Sequence, residues 1–216
     1  MSRAFEQPAT LALPAVPGEP SIALEGLFVP VPDARAAAVV APPHPLMGGS
    51  MESPVVGEVA WACQKAEAAS LRFNWRGVGA SAGVSSADLA QADEDYRAAL
   101  DFLADSVSVP RVACGYSFGA LAAARAAQTA PGIRRMILVA PPTQMLEADA
   151  LCRFPGEVLL LAGEDDEWVD AGVLGEIARQ SVAARVEVIP GCDHFFMSAL
   201  DEVGRVLARW WDQGSG

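Results

Sequence analysis

Short apolar runs and longer stretches of helical periodicity take turns along most of this chain. Residues 24–31 and 36–41 are apolar runs separated by a turn at Pro32 and Asp33, and they read as a pair of strands. Residues 54–69 look helical and 71–75 form a strand. Residues 87–104 follow a helical period, with apolar positions at Leu89, Ala92, Tyr96, Leu100 and Leu103. Ser85 with Asp88 three residues later has the spacing of a capping box for that helix. Strands at 111–115, 136–140, 158–162 and 186–189 then alternate with helices at 118–129, 171–180 and 196–211. Apolar strands alternating with helices predict an α/β architecture, a mostly parallel, doubly wound sheet covered by helices on both faces. Ligands of such sheets bind beyond the carboxyl ends of the strands.

Composition narrows this picture without redirecting it. A chain of 216 residues, 52% apolar and 19% charged, suits one globular domain, and at that length it buries about 70% of its unfolded surface. Residues 1–20 carry one early Arg and an apolar run cut by Pro8, Pro14 and Pro17. They make a poor signal-peptide core and read as an extended leader outside the main core, with residues 21–216 as the single domain. Lys and Arg number 15 against 27 Asp and Glu, a net charge of −12 that argues against nucleic acid or an anionic membrane as partner. No stretch approaches the ~18 unbroken apolar residues of a membrane span. Cys63, Cys114, Cys152 and Cys192 form no C-x-x-C pair, so they fit free thiols in a reducing compartment, with the cytoplasm as the expected location.

The chemistry centres on a pentapeptide that occurs twice. G-x-S-x-G stands at Gly79-Ala80-Ser81-Ala82-Gly83 and again at Gly115-Tyr116-Ser117-Phe118-Gly119. A nucleophile elbow needs a strand directly before the serine and a helix directly after it. Arg-Val-Ala-Cys runs into Gly115, and the alanine-rich run after Gly119 is a strong helix former, so Ser117 meets that demand. Ser81 is separated from its strand by Arg76-Gly77-Val78 and reads as a loop serine. The Gly77-Val78-Gly79 tract also fails as a dinucleotide fingerprint, because position 82 is Ala. At the elbow, the N–H of Phe118 points to where an oxyanion forms.

The chain has only 2 histidines, so few residues can serve as base. His194 follows the last strand in a loop, where a neutral imidazole can accept a proton. His44, with Pro43 and Pro45 on either side, reads instead as backbone architecture. For the acid, the strand at 158–162 runs into Glu164, Asp165, Asp166 and Glu167. Most of these carboxylates must face water, and spacing leaves Asp165 and Asp166 both open as the partner of His194. The order serine, aspartate, histidine is that of a triad on an α/β-hydrolase sheet.

Further blocks stand around these residues: His44-Pro45-Leu46-Met47-Gly48-Gly49-Ser50-Met51, the run from Arg72 to Gly83, Gly115 to Ala120, Gly163 to Val169, and Asp193 to Phe196. In this order they resemble the small, compact bacterial α/β-superfamily hydrolases, from about residue 20 to the end. The resemblance implies an α/β-hydrolase fold, Asp166 as the acid, and a second oxyanion donor in the backbone after His44-Pro45, the N–H of Leu46. It makes the Arg76-Gly77-Val78-Gly79 loop a packing element near the site.

Between the strands at 136–140 and 158–162 lie only residues 141–157, with room for about two helical turns, so no separate lid or cap domain is expected. Met47, Tyr116, Trp168, Phe195 and Phe196 are candidates for the rim of an open substrate site. The expected activity is hydrolysis of a small ester or thioester through Ser117, His194 and Asp166, with no metal or organic cofactor required. The alternative is a non-catalytic binding or scaffold protein that keeps the hydrolase fold.

Overall fold

The run Ala36–Ala41, all Ala and Val, becomes a central strand, β3, and its position explains much of the sheet. The computed structural model describes residues 5–14 and 21–213. With every residue after Ala36 buried, β3 needs neighbours on both edges and cover on both faces. It pairs in parallel with β4 (Ala68–Phe73) and β5 (Arg111–Tyr116). The parallel series continues through β6 (Ile133–Val139), β7 (Glu157–Gly163) and β8 (Ala184–Ile189). On the other side, β2 (Ala23–Val29) and β1 (Gln7–Ala12) extend the sheet with antiparallel pairing. The result is an eight-stranded sheet in the order β1-β2-β4-β3-β5-β6-β7-β8.

Two expectations are corrected here. The runs at 24–31 and 36–41 do not pair with each other, because β4 lies between them. A two-sided apolar strand is satisfied by parallel neighbours that return through helices, whereas β2 alternates in burial and takes antiparallel partners. Residues 1–20 are also not a leader apart from the core along their whole length. Gln7–Ala12 form the edge strand β1, with Ala9 and Leu11 buried and their neighbours exposed. Pro8 is tolerated because β1 is an edge strand. Residues 1–4 and 15–20 of the expected leader lie outside the described residues.

Helices α1 (Pro54–Lys65) and α6 (Leu200–Gln213) pack together, as do α2 (Leu89–Ser106) and α3 (Phe118–Thr129). The sequence helix at 54–69 ends early, since Ala68–Phe73 turns into strand after Glu67 takes a positive φ. Asp88 alone caps α2, accepting from the Ala90 N–H, while the Ser85 hydroxyl donates to the Gly77 carbonyl. The last helix begins at Leu200 and not at 196, because Phe196 takes a positive φ that breaks the helical path. It buries Val203, Val206, Leu207, Trp210 and Trp211 as one stripe. Between β6 and β7 the chain makes only a 3₁₀ turn, Thr143–Met145, and the short α4 (Ala148–Cys152), and α5 (Ala171–Gln180) follows β7. No helix among the described residues is long and apolar enough to cross a membrane.

Candidate active site

β5 ends at Tyr116 and α3 begins at Phe118, so Ser117 alone makes the turn, with φ 55° and ψ −119°. A non-glycine residue held there costs on the order of 1–3 kcal/mol, which its surroundings must offset. The Ser117 N–H donates to the Val139 carbonyl at 2.8 Å, tying the turn to β6. The flanking glycines are required by space. A Cβ at Gly115 would lie 2.1 Å from the Gly119 carbonyl oxygen, and one at Gly119 2.5 Å from the carbonyl oxygens of Ala41 and Pro42. Gly119 therefore lets α3 come against the loop that leaves β3.

The Ser117 hydroxyl does not cap α3. Its Oγ lies 2.9 Å from His194 Nε2, and His194 Nδ1 lies 2.7 Å from Asp166 Oδ2. All of these side chains belong to residues at most 9% exposed. The other Asp166 oxygen accepts the Trp168 N–H at 2.9 Å, which fixes the carboxylate. Asp165 is exposed, and its amide donates to the Cys192 carbonyl. Glu164 accepts the Gly191 N–H at 2.8 Å. The carboxylate run thus divides its work: two members pin the loop before His194, and Asp166 meets the imidazole.

Tyr116 lines the cleft, but its hydroxyl is committed to donating to the His194 carbonyl at 3.0 Å. Burial, and then the Asp166 and Asp193 carboxylates, hold this phenol well above its ordinary range, so it remains a donor. Its ring and the edge-on indole of Trp168, 5.6 and 4.5 Å from the imidazole, pack against His194.

In front of Ser117 opens a cleft of about 590 Å³ whose walls include His44, Met47, Phe118, Met145, Trp168 and Phe195. Met47 and Trp168 stand at its rim, 73% and 44% exposed. Phe196 is not: it is fully buried, packs edge-on against Tyr116, and leaves the cleft to Phe195. The positive φ at Phe196 exchanges the two faces of the Phe-Phe pair. No Lys or Arg stands among the lining residues, and Glu52 is their one carboxylate.

Leu46 is also displaced from its expected place. Its N–H donates to His44 Nδ1 at 3.2 Å, and its side chain points away, 60% exposed and outside the cleft. Pro42, Pro43 and Pro45 carry no N–H. Of positions 42 to 45, only His44 carries an N–H; it lines the cleft beside Ser117 and Phe118, and that N–H has no acceptor among the described residues. The sequence carries a signal for this, since prolines leave position 44 as the one N–H among residues 42 to 45. The Arg76 loop is a packing element as expected, with its guanidinium 2.7 Å from buried Asp95.

A mostly parallel sheet with a strained serine between β5 and α3, and no inserted lid, defines an α/β-hydrolase. The chain belongs to the serine aminopeptidase, S33, family, whose model matches residues 37–151. That span contains Ser117 and ends before Asp166 and His194. An uncharacterized protein of Rickettsia prowazekii is 28% identical over 198 residues, 85% of this chain and 82% of its own. An α/β serine hydrolase homologue from Coxiella burnetii superposes with a TM-score of 0.81 at 28% identity, covering 94% of this chain and 96% of its own. A serine hydrolase without lid from Xanthomonas campestris gives 0.79 at 27% identity, covering 96% and 94%.

Proposed function

We propose that this protein hydrolyses a small carboxylic ester or thioester through a Ser117–His194–Asp166 triad. The observation that carries this reading is the continuous hydrogen-bonded path, 2.9 Å from Ser117 Oγ to His194 Nε2 and 2.7 Å from Nδ1 to Asp166. As Ser117 Oγ attacks the carbonyl carbon, its proton passes to Nε2, and Asp166 stabilises the imidazolium while holding the ring. The tetrahedral oxyanion is received by the amides of Phe118 and His44, each such donor contributing about 3–4 kcal/mol to the transition state. Collapse expels the leaving group, which takes the proton back from His194. A water, deprotonated by the same imidazole, then releases the acid from the acyl-serine.

The lining, free of Lys and Arg, supports an uncharged apolar acyl group. Free thiols at Cys63, Cys114, Cys152 and Cys192 support residence in the cytoplasm. A fluorophosphonate is expected to modify Ser117 selectively and to abolish hydrolysis of p-nitrophenyl butyrate in parallel. A protein that is neither labelled nor active on a panel of graded acyl esters and thioesters is no hydrolase of this kind.

A further inference from the structure

The block Arg72-Phe73-Asn74-Trp75 lies at the end of β4 and grips the loop between β3 and α1 at both ends. At the far end, Arg72 donates to the Met51 carbonyl at 2.6 Å and Asn74 accepts the Met51 N–H at 2.8 Å. At the near end, Trp75 Nε1–H is shared between the carbonyls of Pro42 and Pro43, at 3.2 and 3.0 Å. Trp75 is 2% exposed, and its ring stands edge-on to Phe118, 5.7 Å between centroids. It therefore touches both segments that supply the oxyanion donors.

The Pro43 carbonyl and the His44 N–H belong to one peptide plane, and no peptide bond among the described residues is cis. In a trans peptide the C=O and N–H point in opposite directions. Anchoring the carbonyl on the indole therefore aims the amide away from Trp75, toward the cleft that His44 lines. The same bond polarises the peptide and strengthens its N–H as a donor. Gly119 closes the other side of the loop, with no Cβ to push the carbonyls of Ala41 and Pro42 off their positions. Prolines at 42, 43 and 45 fix φ, so the loop has little freedom left once Trp75 holds it.

We infer that Trp75 is a positioning residue for the oxyanion site, acting through the 43–44 peptide on the His44 amide. This rests on the hydrolase reading above. Trp75→Phe keeps an aromatic ring against Phe118 and removes only the N–H donor. It is expected to lower kcat on p-nitrophenyl butyrate by about 10- to 100-fold with KM within about twofold, because a misaimed donor is lost in the transition state and not in the ground state. A boronic acid that forms a tetrahedral adduct on Ser117 should lose affinity by a similar factor. Where Trp75→Phe does not fold, β-(3-benzothienyl)alanine at position 75 keeps the indole's shape with sulfur in place of N–H, and the same split is expected. An unchanged kcat and boronate affinity in a folded variant overturns the inference alone, and so does a loss that appears in KM. A wild-type protein that neither turns over esters nor binds the boronate overturns the hydrolase reading, and this inference with it.

Discussion

Ser81 and Ser117 share the pattern G-x-S-x-G and nearly the same burial, 8% and 9% exposed, yet their hydroxyls live in different chemical worlds. Ser81 Oγ donates to the Asn74 carbonyl and accepts the Glu25 N–H, both at 2.9 Å, so it is a satisfied rivet between β2 and the loop after β4. Ser117 Oγ faces an imidazole nitrogen instead. The glycines have also exchanged duties. In 79–83, Gly79 and Gly83 take the positive φ, at 59° and 92°, and the serine does not. In 115–119, Ser117 itself takes it, and Gly115 and Gly119 provide room for close backbone approach. The two copies thus differ in what bears the strain: the serine at 117, the glycines at 79–83.

The largest test of this contrast is the matched pair of alanine variants. Ser117→Ala should reduce ester hydrolysis by ~10³-fold or more, while Ser81→Ala keeps turnover within a few-fold. Equal losses measured under saturating substrate would erase the distinction. Next in size, Asp166→Asn should lower kcat by roughly 10²- to 10⁴-fold, because the imidazole loses its orienting acceptor. Asp165→Asn, altering an exposed side chain, should stay within about twofold, and the reverse ranking would reassign the acid.

Smaller effects probe what holds each serine in place. Tyr116→Phe removes the donor to the His194 carbonyl, a bond of about 0.5–1.5 kcal/mol, so kcat should fall by roughly 2- to 10-fold. No change in the steady-state rate would mean that this bond does not help to hold the loop. For Ser81→Ala the loss should appear in urea unfolding and not in rate. The Glu25 N–H and the Asn74 carbonyl are left without this partner, at a cost of ~1–3 kcal/mol.

Much of this could be read from local pattern. The helices after Ser117 and after Asp170 appear with the bounds their periodicity predicts, since alanine-rich or amphipathic stretches between turns decide themselves locally. The parallel class of the sheet follows from strands too apolar for one-sided burial. What local pattern missed is non-local. The interposition of β4 between β2 and β3 depends on a crossover, not on the turn at Asp33. β1 has only Ala9 and Leu11 as inward residues, a period too short to stand out among prolines. In the site, a single residue of phase decides Phe195 over Phe196, and it is set by one positive φ. The free amide at position 44 stands out on counting N–H groups across residues 42 to 45, a signal that motif spacing alone does not carry.

The short connection between β6 and β7 has a kinetic corollary. That connection holds only the turn at Thr143–Met145, whose Met145 lines the cleft, and the five residues of α4, so among the described residues it forms no large flap to swing aside before substrate enters. Enzymes gated by such a flap often turn over at the rate of its opening. Here, velocity should follow the concentration of dissolved monomeric ester smoothly, with no jump when the ester begins to form micelles or droplets, and acylation or deacylation should set the pace.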